Sequence, residues 1–325
     1  MSPPLAFDRL VHSDWSVASE KRWTAVARRS RRGWRVESLQ RTPPSNLFLE
    51  CLFDPAQRTL AGYDFPIGLP AFYLDKMGWE FRKLLSTPAP DRAGRFFDAV
   101  NTLFDISPEQ PFYRRHPKGG RRTDLLRGLG CDDFDHLLRA CDRATKTRSR
   151  AESIFWTVGA KQVGKAALSG WRELLVPALA RGARLWPFDG PLSSLDSNVL
   201  TIAETYPAEA YQHIGMRRTI KKRSQQGRSA GCGIMLEWGS RHGIAFSSEI
   251  KACMQKGFGE RGDGEDPFDA LAGLCGMIES RTDVARRPPI SLHARHAARA
   301  GFWARLRSHL LEPIRFAGRN TGAGP

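Results

Sequence analysis

Short apolar runs that alternate with polar residues and stop at glycine, proline or an acid dominate the first part of the chain. Longer stretches with helical spacing follow. Arg9–Asp14 (RLVHSD) reads as a strand ending on an acid, and WSVASEK as the loop after it. Residues 22–28 (RWTAVAR) and 33–39 (GWRVESL) have the Trp, Val and Thr content of strands, and the basic turn SRRG joins them as a hairpin. Residues 45–57, with Leu47, Phe48, Leu49, Leu52 and Phe53, read as a helix. Residues 59–64 form a fourth strand that breaks into the Pro–Gly turn of YDFPIGLP. The predicted order is β-β-β-α-β.

Residues 72–150 read as a helix-rich insertion between sheet elements. In it, 91–104 and 133–145 carry apolar residues at helical spacing, and the basic loop YRRHPKGGRR lies between them. Residues 162–179 predict a helix, and 184–188 and 198–204 two more strands, the second apolar until Glu204. A helix opens at Pro207, a favoured first position. Residues 216–228 (MRRTIKKRSQQGR) read as a solvated basic loop and 247–258 as a helix. Residues 266–279 (DPFDALAGLCGMIE) read as another, with Asp266 as N-cap and Pro267 opening it. A break at Pro288 and Pro289 precedes a basic C-terminal helix at about 290–314, and 315–325 reads as a flexible tail. The expected organisation is a single domain over 1–314.

Composition changes the picture through charge. The chain has 325 residues, a formal net charge of +16 and Lys+Arg 50 against Asp+Glu 34. A surplus of this size attracts polyanions, and nucleic acid is the leading expected partner. Six scattered cysteines without a C-x-x-C pair argue against a zinc ribbon or a disulfide framework. The N-terminus lacks the basic start and apolar stretch of a signal peptide, and no run approaches the length of a membrane span. A cytoplasmic protein without a membrane partner is expected, its oligomeric state left open. No GxxxxGK[ST] loop and no G-x-S-x-G elbow occurs, which argues against a P-loop enzyme and a serine hydrolase.

Candidate chemistry lies in four segments that place an acid at a strand end or a helix start: HSDWS (Asp14), YDFPIGLP (Asp64), AETYP (Glu204) and EDPFDAL (Asp266, Asp269). Asp266 and Asp269, three apart, share a helix face. If the strands are parallel neighbours, these acids converge, and gathered carboxylates call for hard cations such as Mg²⁺ or Mn²⁺. Two such ions would clamp a phosphodiester for in-line displacement. Taken singly, each acid also fits a bland role: Asp64 and Glu204 as turn caps, Asp14 as a strand-end turn residue, Asp266 as an N-cap. Lys221, Lys222 and Arg223, and Arg114, Arg115, Lys118, Arg121 and Arg122, could hold a nucleic-acid backbone or simply be solvated. His12 reads as structural.

The series DWS…RWTAVA, YDFPIGLP, ETYPAEAY, DPFDAL resembles the uncharacterised domain-of-unknown-function family 429, within the ribonuclease H-like superfamily. The resemblance spans most of residues 9–279 but not 72–150. It implies an α/β fold: a ribonuclease H-like mixed sheet flanked by helices, with a helical insertion. It also implies metal ligands at Asp14 and Asp64, and later acids at Glu204 and Asp269, with Asp266 as a substitute. With the gathered acids, the expected activity is a divalent-metal-dependent nuclease. The alternatives are a nucleic-acid-binding protein without the chemistry and an actin-like phosphotransferase. The latter is disfavoured because WSVASEK offers no phosphate loop.

Overall fold

The structure is a computed structural model that describes residues 7–86, 93–115, 118, 120–144, 149–157, 163–216, 220–260 and 262–286. The expected C-terminal helix and tail lie outside the described residues. The strands are β1 (Arg9–Asp14), β2 (Trp23–Ser30), β3 (Gly33–Arg41), β4 (Thr59–Tyr63), β5 (Val100–Thr102), β6 (Tyr113–Arg115), β7 (Arg184–Trp186), β8 (Leu200–Glu204) and β9 (Ala245–Phe246). Seven of them form one sheet in the order β7-β8-β4-β1-β2-β3-β9. β2 is antiparallel to β1 and β3, and the remaining pairs are parallel. The two-residue turn after Ser30 forces the antiparallel hairpin. The crossovers from β1 to β4 and from β4 to β8 are long enough for parallel pairing. β1, β4 and β8 therefore end at one edge of the sheet, in a register that aligns Ser13, Tyr63 and Glu204.

Both faces are covered. Val11, Ala61, Tyr63 and Ile202 bury against the Ser45–Leu52 helix, the insertion and the helical stretch that starts at Val163. Leu10, Ala25, Ala27, Leu60 and Ala203 bury on the opposite face, with side chains of the Pro207–His213, Gln225–His242 and Glu265–Arg286 helices. Strand alternation delivers this split, since successive side chains point to opposite faces.

Four stretches differ from the sequence reading. Within 91–104 the helix is confined to Ala93–Phe96, because the next residues form β5, which pairs with β6. Val100 and Thr102 are β-branched, and Phe96 packs edge-on to Phe112 and stacked with Trp171, which supports the strand pairing. Residues 133–145 contain two 3-10 turns, Phe134–Leu137 and Ala140–Asp142, in place of a helix. The helix Gln225–His242 begins inside the expected basic loop, capped by Ser224, whose hydroxyl accepts from the Gly227 N–H at 3.1 Å. The last helix starts at Glu265, so Asp266 sits in its first turn rather than capping it.

Candidate active site

Asp14 closes β1 and Asp64 follows β4 directly, on adjacent parallel strands. Counting back by twos, Asp14 shares a face with His12 and Leu10, and Asp64 with Gly62 and Leu60. That is the face covered by the Glu265–Arg286 helix. The two carboxyls meet there: Asp14 and Asp64 lie within hydrogen-bonding reach of each other, and Asp64 Oδ1 accepts the Trp15 N–H at 2.7 Å. Burial pushes Asp14 well above the usual carboxylate range, and the charges of Asp64 and Asp269 add to the shift. Burial likewise pushes Asp64 up to about 6, against the lowering effect of the bonds from Asp14 and Trp15. Asp266 is raised by burial and by Asp269. Asp269 is raised by burial, partly offset by Lys222 and Tyr211. The structure thus brings Asp14, Asp64, Asp266 and Asp269 into one electrostatic group.

The last helix lies close enough to join this group because two residues on the sheet permit it. His12, completely buried, bonds through Nδ1 to the Ala270 carbonyl at 3.0 Å and through Nε2 to Thr205 Oγ1 at 2.8 Å. A carbonyl can only accept, so Nδ1 carries the proton and Nε2 accepts from the threonine. Burial drives the His12 pKa down to about 3, so the ring is neutral. Over it passes Gly273, where a Cβ would stand 2.1–2.5 Å from the imidazole ring. At Gly62 a Cβ would meet Met277 Sδ at 2.6 Å. Ala270, which adjoins Asp269, is therefore anchored to the strand that carries Asp14. His12 is structural, as expected, and its position makes it a positioning residue.

Glu204 faces the other way. Its register partners Ser13 and Tyr63 belong to the opposite parity from Asp14 and Asp64, so the pleat turns its carboxylate toward the insertion. There it accepts from Arg139 at 2.6 and 2.9 Å and from the Ile67 N–H at 2.7 Å. Arg139 also pairs with Asp142 at 2.8 Å, both nearly inaccessible to solvent. Glu204 thus ties the turn after Asp64 to the insertion, in place of the expected ligand role. Arg139 is buried in this ion network.

The basic candidates divide. Arg114, Lys118, Arg121, Lys221 and Arg223 are exposed. Arg115 lies at the end of β6. Arg122 pairs with Glu152 at 3.0 Å and covers the Phe134 ring. Lys222 points inward: its ammonium donates to Asp269 Oδ2 and lies 3.2 Å from Glu265 Oε1, while the Tyr211 hydroxyl donates to Asp269 Oδ1. Burial alone would lower the Lys222 pKa, but Asp269 and Glu265 hold it above the usual lysine value. Sequence reasoning missed Tyr211 and the inward role of Lys222. The KKR run looks uniform, and only the backbone path separates its members.

Among the described residues no three His, Cys, Asp or Glu side chains are already gathered to hold a metal ion. The donor set at Asp14 and Asp64 nevertheless fits one: two half-buried carboxyls, all oxygen, side by side at the ends of adjacent parallel strands. No helix of the described residues is long and apolar enough to cross a membrane. No family model, curated protein or solved structure matches the chain.

Proposed function

We propose that the chain is a divalent-metal-dependent nuclease on a ribonuclease H-like sheet. The observation that carries this reading is the meeting of Asp14 and Asp64 at the carboxyl ends of adjacent parallel strands, opposite Asp266 and Asp269. Ligands of open α/β sheets bind at such an edge. The strand order supports the fold assignment: three antiparallel-linked strands, then β4 and β8 added in parallel beyond β1. Asp14 and Asp64 would hold Mg²⁺ or Mn²⁺, with Asp266 on the adjoining helix turn. The chemistry such an ion supplies is Lewis-acid polarisation of a phosphodiester and activation of water.

The protein's own groups prepare the site. The Trp15 N–H orients Asp64, and Asp14 would have to be ionised to hold a cation beside it. His12 and Thr205 hold the Asp269 helix in register. Exposed Arg114, Lys118, Lys221 and Arg223 gather a polyanion that the acidic centre alone would repel.

A second reading, a nucleic-acid-binding protein without the chemistry, draws support from Asp269, both of whose oxygens are already engaged. Cleavage of labelled DNA and RNA panels with Mn²⁺ or Mg²⁺ separates the two. The nuclease reading expects cutting by the parent and at least a hundredfold loss in Asp64→Asn. Binding without cutting in both proteins sinks it.

A further inference from the structure

We infer that the Lys222 ammonium occupies the place of a second cation, so that this centre takes a single divalent ion, at Asp14 and Asp64. The inference rests on the metal-dependent reading above and replaces the two-ion arrangement expected from the sequence. Two observations support it independently.

The first is how the acids are satisfied. Asp269 has one oxygen on the Tyr211 hydroxyl and the other on the Lys222 ammonium, which also reaches Glu265 at 3.2 Å. Among the described residues Asp14 and Asp64 have no such cation; they sit side by side at the ends of adjacent strands, and Asp64 accepts a backbone N–H. The acidic group is therefore divided into a half that a lysine already neutralises and a half, Asp14 and Asp64, with no ion pair among the described residues. A divalent ion at the first half would have to expel a half-buried ammonium from Asp269.

The second is that the backbone bearing Lys222 is built in. The Lys222 carbonyl accepts from Arg228 Nη1 at 2.8 Å. Arg228 is itself completely buried, and its other nitrogens bond the Gly257 and Gly259 carbonyls at 2.8 and 2.7 Å. The Lys222 N–H donates to the Ile220 carbonyl at 3.0 Å. A guanidinium bonding three carbonyls fixes the path of residues 220–224 from below. Lys221 and Arg223, one step either side, point to solvent, so this placement belongs to Lys222 and not to the run. A surface lysine wandering onto an acid would not be anchored in this way.

Mn²⁺ binding to the full-length protein, followed by titration calorimetry with no nucleic acid present, tests the inference. One Mn²⁺ per chain is expected, lost in Asp64→Asn. Lys222→Met, checked for an unchanged circular dichroism spectrum, should bind a second Mn²⁺, and Lys222→Arg should remain at one. If Lys222→Met fails to fold, the parent and Lys222→Arg still decide the matter through their stoichiometry. Two ions on the parent, or one on a folded Lys222→Met, overturn the inference. A parent that binds one Mn²⁺ but cuts nothing leaves the inference standing and removes the nuclease reading; a parent that binds none removes the metal site and the inference together.

Discussion

Asp64 shows how burial holds a single side chain in an unfavourable charge state. Its pKa, pushed up to about 6 by burial, lies above the ordinary aspartate value of 3.8, so in the metal-free protein folding favours its protonated form. The folded chain then binds more protons than the unfolded chain between those two values, and stability falls as pH rises through that window. Above it the ionised group costs up to about 3 kcal/mol. Asp64→Asn keeps the oxygen that accepts from Trp15 and removes the charge. With a chelator at pH 7 it should melt no lower than the parent, and the difference should shrink toward pH 4, as thermal melts across that range would show. His12 acts in the opposite sense, losing stability as pH falls below its unfolded value, but equally in both proteins, so it cancels in the comparison. A variant that melts well below the parent at pH 7 in chelator would count against a strained carboxyl pair.

Between elements, the decisive contact is the last helix on the sheet. Gly273 and His12 fit only because the glycine has no side chain, and the imidazole is too rigid to move aside. Gly273→Ala should therefore destabilise the fold by about 1–3 kcal/mol, the usual cost of overpacking. On the proposed metal site it should also weaken Mn²⁺ binding, because it lifts Asp266, which adjoins that site, away from β1. Urea denaturation together with calorimetry checks both, and an alanine tolerated without change in either would show that the helix is not seated as described. The HSDW, DFPIGLP and DPFDAL segments show their acids in the sequence, since a strand that ends on an acid and a helix that starts on one are local patterns; the seating of that helix on the sheet is not one. The Gln225–His242 helix was hidden by its glycines and polar residues; it forms because Cys232, Met235 and Trp238 find a buried face.

At the scale of the whole molecule, a net charge of +16 surrounds an acidic centre. If the exposed cations track a nucleic-acid backbone, the logarithm of affinity should fall linearly with the logarithm of salt concentration. Lys221→Ala and Arg223→Ala should each reduce the slope by about 1, whereas Lys222→Ala, whose charge faces inward, should leave it nearly unchanged. Fluorescence anisotropy over a salt series measures the three slopes, and an equal effect from all three would contradict the inward placement. The β-β-β-α-β order of the first elements, the strand-end acids and the net positive charge were determined by the sequence alone, because alternation, turn chemistry and net charge act locally or additively. Which acids meet was decided only by the tertiary structure. Asp14, Asp64 and Glu204 look equivalent as strand-end acids, yet the register that aligns Glu204 with Ser13 and Tyr63 turns it to the opposite face. Likewise nothing in KKR marks its middle residue, and only the buried Arg228 beneath the chain directs that one lysine inward. Register and burial depend on residues far apart in the chain, and a one-residue difference in either reverses where a side chain points.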